Sequence, residues 1–243
     1  MDVGVEKKFE YSVVMPGTRA YRDYLALRYA VFCEELKRVP AINRFFSDVS
    51  LESDAYDVYS VHVLCRSLET GAAVGCSRLI LPNAKGLSIT SRYTMHHQAA
   101  ISSNRIGEIG RLAIAKELRR NRGELSSAGL YQPPAQRSHT ASVADKQDGP
   151  LVAMGLYNEI FKLANKYGLA YCYAAMEPSL ARLLTRIGFP FQAVGPLNNE
   201  VQPPRQPYSI DVHVTQTVFA NRNICFSPSM SAVSHQVKSL CTV

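Results

Sequence analysis

The chain has 243 residues, 47% of them hydrophobic, enough to build the core of one large α/β domain or two small ones. Its formal net charge of +7 points to an acidic partner, whether nucleic acid, an anionic membrane or an acidic protein. No stretch reaches the ~20 apolar residues that span a bilayer, and residues 1–10 lack the apolar core of a signal peptide, so a cytoplasmic location is expected. The six cysteines form no CxxC pattern, and the adjacent His96 and His97 would point apart, so no metal centre is expected. There is no Walker loop and no GxGxxG.

Residues 9–15 form a short apolar run and a first strand, broken by Pro16-Gly17. Thr18 is a candidate N-cap. From there Tyr21, Tyr24, Leu25, Arg28, Val31, Phe32 and Leu36 recur at helical spacing, which puts Arg28 on the apolar face. Pro40 marks the helix end, and a polar loop follows. Residues 58–66 alternate as a strand, residues 68–71 turn, and residues 73–81 return, which makes an antiparallel hairpin. Residues 84–105 are irregular or partly helical, and a strand follows from 108 to 115. Residues 121–150, rich in Ser, Pro, Gln, Ala and Gly, read as a mobile insertion. Helix 151–167, strand 169–176, helix 178–187 and strands 189–194 and 210–218 complete the series. Residues 221–243 read as a weakly ordered tail. Cys65, Cys76 and Cys172 fall in apolar strands, where a reduced thiol packs as a small hydrophobe. The expected fold is a single α/β domain over residues 1–220: one mixed sheet with helices on both faces.

The most informative stretch is Glu108-Ile109-Gly110-Arg111-Leu112-Ala113-Ile114, a buried strand with a carboxylate and a guanidinium in its middle. Burying charges costs several kcal/mol per ion, so they are buried in pairs or at sites. Either the two close the sheet as an ion pair, or they do chemistry. On a flat strand Glu108 and Arg111 face opposite sides. They share a cleft only if the strand is bulged, and Gly110 makes a bulge plausible.

Four features carry a resemblance. Arg28 and Phe32 fit R-x-x-x-F. Glu52-Ser53-Asp54-Ala55-Tyr56-Asp57 fits an acidic loop, Arg78 lies in a hairpin strand, and Glu108-Ile109-Gly110-Arg111 is similar to E-x-S-R. In this order they resemble the acyl-homoserine-lactone synthases and N-acyl amino acid synthases, which have the GCN5-related N-acetyltransferase (GNAT) fold. Residues 194–196 and 205–211 resemble the ending of acyltransferases associated with exosortase and PEP-CTERM systems. Two departures point away from an acceptor derived from S-adenosylmethionine. The chain has no tryptophan, with Arg38 near the place where the lactone synthases carry one, and Gly110 replaces the serine of E-x-S-R. The Gly-rich phosphate loop of ordinary acetyltransferases is also missing.

The resemblance implies a GNAT-like N-acyltransferase with no tightly bound cofactor, joining a fatty acyl group to the amine of an amino acid or similar small molecule. The donor would be acyl carrier protein, through its phosphopantetheine thioester. Glu108 would take the proton, with Arg111 as its catalytic partner. Arg28, Phe32, Asp54, Asp57 and Arg78 would form the substrate pocket. Arg78 or Arg111 would bind the acceptor's carboxylate bidentately, and the aspartates would orient the arginines or simply brace their loop. Phe32 serves equally as core, and Arg28 as a partner of Asp57. Lys116, Arg119, Arg120 and Arg122 form a basic cluster that would meet the acidic carrier. Three alternatives stay open. They are a lactone synthase using S-adenosylmethionine, a CoA-dependent N-acetyltransferase, and a non-catalytic nucleic-acid-binding module. The acidic loop and the lack of interleaved aromatics argue against the last.

Overall fold

The structure is a computed structural model and describes residues 7–39, 50–96, 102–119 and 148–215. Strand β1 (Phe9–Val14) leads into helix α1 (Arg19–Tyr29), whose N-cap Thr18 accepts the Tyr21 N–H at 3.1 Å. The regular helix does not run to Leu36 as its periodicity suggests. Residues Ala30–Glu35 widen into a π-helix, with the Leu36 N–H reaching the Val31 carbonyl at 3.0 Å, and Lys37 ends it at φ 49°. Such inserted turns are frequent at functional sites. The expected loop after Pro40 lies largely outside the described residues, which resume at Ser50.

A 3₁₀ turn at Asp57–Tyr59 enters the hairpin β2 (Ser60–Ser67) and β3 (Ala73–Ile80). The short helix α2 (Ser88–Arg92) then crosses to β4 (Ile106–Ile114). Helix α3 (Gly149–Lys166), β5 (Tyr171–Met176), helix α4 (Pro178–Arg186), β6 (Gln192–Ala193) and β7 (Gln206–Asp211) follow. Three expectations need correction. Gly149 and Pro150 belong to α3, where Pro fits the first turn, and the rest of the expected insertion, 121–147, is outside the described residues. The strand expected at 189–194 shrinks to two residues. The strand expected at 210–218 lies at 206–211 instead. Val212 and Val214 suggest a strand, but the Asp211 carboxylate accepts the His213 N–H at 2.8 Å and turns the chain into a helical segment. Residues 216–218 and the tail 221–243 are outside the described residues.

The strands form one seven-stranded sheet in the order β1-β2-β3-β4-β5-β7-β6. All neighbours are antiparallel except β4 and β5. The helices cover both faces. Tyr24 of α1 packs edge-on against His62 of β2, with centroids 5.0 Å apart, while Val152 and Leu156 of α3 fill the space over Gly75 on the other side of the hairpin. On the α3 side the Phe189 ring lies 5.4 Å from that of Tyr157 and 5.5 Å from that of Phe161, centroid to centroid. Cys65, Cys76 and Cys172 are buried in β2, β3 and β5, as their apolar surroundings predict.

The parallel join is short. β4 pairs with β5 only through Ile106↔Tyr171, Gly107↔Cys172 and Glu108↔Tyr173. Beyond that point β5 stays with β7 and β4 stays with β3. The two strands therefore splay into a wedge in the middle of the sheet.

Gly195 fixes one wall of this wedge. A Cβ there would sit well inside contact distance of the Thr94 backbone carbonyl. The His96 N–H donates to the Val194 carbonyl at 2.6 Å, and the Gln206 amide donates to the Gly195 carbonyl at 2.9 Å. The chain after α2 is thus stapled to the start of β7. Because backbone cannot yield as a side chain can, Gly195→Ala is expected to destabilise the fold by about 1–3 kcal/mol, read as a lower urea midpoint at unchanged m-value.

Candidate active site

The bulge expected in β4 is present. Cys76 pairs with Ala113 and Arg78 with Gly110, so two residues of β3 span three of β4. The residue with the unusual backbone is Arg111, at φ 51°, rather than Gly110. A non-glycine residue in the left-handed region costs about 1–2 kcal/mol, which its side-chain contacts must offset. The extra residue turns the Arg111 side chain toward the face that carries Arg78 and Glu108.

Those contacts close a ring. Arg28 donates to Glu52 (2.5 Å) and Asp57 (2.7 Å). Arg78 donates to Asp57 (2.6 Å) and Asp54 (2.6 Å). Arg111 donates to Asp54 (2.9 Å) and Glu52 (3.0 Å). Each carboxylate thus bridges two arginines, three cations alternate with three anions, and the ring is neutral. Arg28 and Arg78 are among the largest fully buried side chains in the protein. The aspartates also brace their own loop: Asp57 accepts the Asp54 N–H and Asp54 accepts the Tyr56 N–H, both at 2.8 Å. Burial would raise all three carboxyl pKa values, but the facing arginines outweigh it and hold them below the ordinary range. Beside the ring, burial drives the His62 pKa down to about 4, so its imidazole is neutral at pH 7.

Glu108 stands apart from the ring. It lies at the last β4–β5 pair and is 9% exposed. Its carboxylate accepts the Ile89 N–H of α2 at 2.8 Å. Burial raises its pKa, and the Ile89 bond and the charges of Arg78, Arg92 and Arg111 only partly offset this. It lines a cavity of about 100 Å³ in the wedge, together with Phe32, Arg78, Arg92, Tyr93, Arg111 and Arg205. A buried carboxyl with a raised pKa beside a cleft is a candidate general base.

The sequence-derived residues divide in their placement. Arg28, Asp54, Asp57, Arg78 and Arg111 converge on the ring, which also takes in Glu52, quoted in the acidic loop but not singled out for the site. Phe32 is both core and cavity wall, with the Arg111 guanidinium 5.6 Å from its ring centre. The expectation that Arg78 or Arg111 binds a carboxylate of the acceptor meets a competitor, because the protein's own carboxylates already hold both. The basic cluster needs a firmer correction. Lys116 is exposed, but Arg119 is 9% exposed and ion-paired with Glu35. Arg120 and Arg122 are outside the described residues. Arg92 and Arg205 were missed as site residues. Arg205 lies in a segment that carried part of the resemblance, whereas Arg92 sits in an irregular stretch with no periodic signal.

Removing one member of a buried charge ring leaves its partner uncompensated, which costs about 3–5 kcal/mol. Glu52→Ala is therefore expected to lose about that much stability in chemical denaturation. Acid should act on the same groups. Their folded pKa values lie below the unfolded values of about 4, so the ring's contribution is complete above that pH. It is lost as pH falls toward the folded values, and a denaturation midpoint that did not drop below pH 4 would contradict this.

Residues 27–127 match the acetyltransferase (GNAT) domain family. No curated protein matches the chain in sequence. Among solved structures the chain is similar to TofI, crystallised in a ternary complex with an inhibitor and MTA (17% identity, TM-score 0.58, covering 88% of this chain and 97% of that one). It is also similar to BjaI, a CoA-dependent acyl-homoserine lactone synthase crystallised with SAM and isopentyl-CoA (20%, 0.55, 83% and 81%). A third is the acyl-homoserine-lactone synthase LasI (14%, 0.57, 90% and 98%). At such identities the likeness is one of fold. The chain thus has the fold of the acyl-homoserine-lactone synthases, and its residues 27–127 match the GNAT acetyltransferase domain.

Proposed function

We propose that the protein is an N-acyltransferase that moves a fatty acyl group from the phosphopantetheine thioester of acyl carrier protein to the amine of an amino acid or related small molecule. The observation that carries this reading is Glu108: a buried carboxyl with a raised pKa at the apex of the wedge between β4 and β5. Past Glu108 the β5-facing edge of β4 has no strand partner among the described residues. Pantetheine carries two amides along an extended arm, and such an arm can add to an open strand edge as a peptide does.

The chemistry then follows from the geometry. Glu108 accepts a proton from the acceptor's nitrogen as that nitrogen attacks the thioester carbonyl carbon. The C–N bond forms, negative charge gathers on the carbonyl oxygen, and the arginine-lined cavity stabilises it. The C–S bond then breaks, and the leaving thiolate takes up a proton. The products are an amide and a free thiol. The charge ring keeps Arg78 and Arg111 fixed beside Glu108 without requiring either to move.

The carrier would approach from the open end of the wedge, where Lys116 is exposed. A lone rim charge acts mainly on encounter rate. Lys116→Glu is expected to raise KM for acyl carrier protein a few-fold, in a salt-dependent way, and to leave acyl-CoA turnover unchanged. Equal loss on both donors would count against carrier docking there. We infer a cytoplasmic site of action from the same donor.

A second reading follows from BjaI, whose fold serves CoA thioesters and SAM. Against it stand Gly110 in place of serine and the absence of tryptophan. A mass-spectrometric assay separates the two: purified protein with acyl carrier protein or CoA thioesters, the amino acids and SAM. The expected product is an N-acyl amino acid, and an acyl-homoserine lactone instead would establish the second reading. Glu108→Gln is expected to lower kcat about 10²–10⁴-fold. In the wild type kcat/KM should rise with pH through the raised Glu108 pKa, because the base must lose its proton to act. That limb should vanish in the variant.

A further inference from the structure

The cavity holds more positive charge than the protein itself neutralises. Arg78 and Arg111 spend their charge within the ring. Arg92 and Arg205 line the same cavity, and no carboxylate among the described residues forms an ion pair with either. The Arg92 side chain donates to the Ser88 hydroxyl, which leaves most of its fork unused. Arg205 stands just before β7. Its backbone bridges Asn198 in both directions, at 2.7 and 3.1 Å. Burial lowers the Arg205 pKa, and the charges of Arg111 and Arg92 add to that effect, against the opposing pull of Tyr93 and Glu177. Glu177 acts on Arg205 through its charge, and its ion pair is with Arg38, at 3.9 Å.

Arg205 is half-buried and Arg92 is exposed. A buried guanidinium without a counter-ion is costly unless an anion arrives with the ligand. A planar fork suits a carboxylate. We propose that Arg92 and Arg205 bind the carboxylate of the acceptor, so that the acceptor is an amine bearing a carboxylate group and its nitrogen lies beside Glu108. The cavity has room for several water molecules, and the two arginines, on α2 and just before β7, line it together with Glu108 of β4. The acyl-transfer reading supplies the reaction, whereas the carboxylate site stands on the arginines alone.

The test compares the twenty amino acids with their α-carboxamides. Binding to the full chain is measured by calorimetry without any donor, and acylation of the same pairs by mass spectrometry. The variants are Arg205→Gln, Arg92→Gln and Arg205→Lys. At least one amino acid is expected to bind about tenfold or more tighter than its carboxamide, as charge-assisted hydrogen bonds imply. Both Gln variants should erase that preference by weakening the acid while leaving the carboxamide unchanged. Arg205→Lys should keep part of it. Equal binding of acid and carboxamide by the wild type would overturn the proposal. So would equal loss of both in the variants, or no amino acid binding at all. Preferential binding without product from any donor would uphold the carboxylate site and sink acyl transfer. Product formed equally well from acid and carboxamide would do the reverse.

Discussion

The alternating ring of Arg28, Glu52, Arg111, Asp54, Arg78 and Asp57 is the constraint on which the rest of the molecule depends. It ties α1, the 52–57 loop, β3 and β4 into one unit. Desolvating six charges is expensive, and the cost is met only because every carboxylate faces two guanidinium groups. The ring also explains how Arg111 tolerates a left-handed backbone. The bulge that forces this conformation also brings its guanidinium within reach of Glu52 and Asp54. Strain and ion pairing are thus two sides of one local arrangement.

A neutral ring beside an unbalanced pocket divides the labour. The ring arginines are held by internal partners and present a fixed electrostatic wall. Glu108, with no arginine in hydrogen-bonding contact, keeps a raised pKa a few ångströms along the same face. Had Glu108 joined the ring, its pKa would have fallen with those of Glu52 and the aspartates, and it would be a poorer base. The divergence of β4 from β5 then opens the sheet at Glu108 and nowhere earlier. The deepest point of the wedge and the carboxyl with the raised pKa therefore coincide.

The basic composition led to two different ends. Part of it lies inside the fold: Arg28 and Arg78 are buried, and Arg119 pairs with Glu35. Each of these cations is matched by a carboxylate, so they add nothing to the formal excess, which the other residues carry. Arg92 and Arg205 illustrate the opposite case. Neither stood out in the sequence, because they are 113 positions apart and belong to elements with weak patterns. They meet because Gly195 lets the chain after α2 press against the start of β7.

What the sequence by itself determined is the order of the elements, the cap at Thr18, the buried thiols of three strands, and the set of charged residues that had to find partners. Those follow from local periodicity and from the cost of burying charge, both of which are written residue by residue. Only the tertiary structure decided who pairs with whom. It assigned the left-handed turn to Arg111 instead of Gly110, removed Arg119 from the surface, shortened the strands near residues 189–218, and brought Arg92 and Arg205 to one cavity. Register, splay and closure depend on contacts between segments far apart in the chain, and no local pattern carries that information.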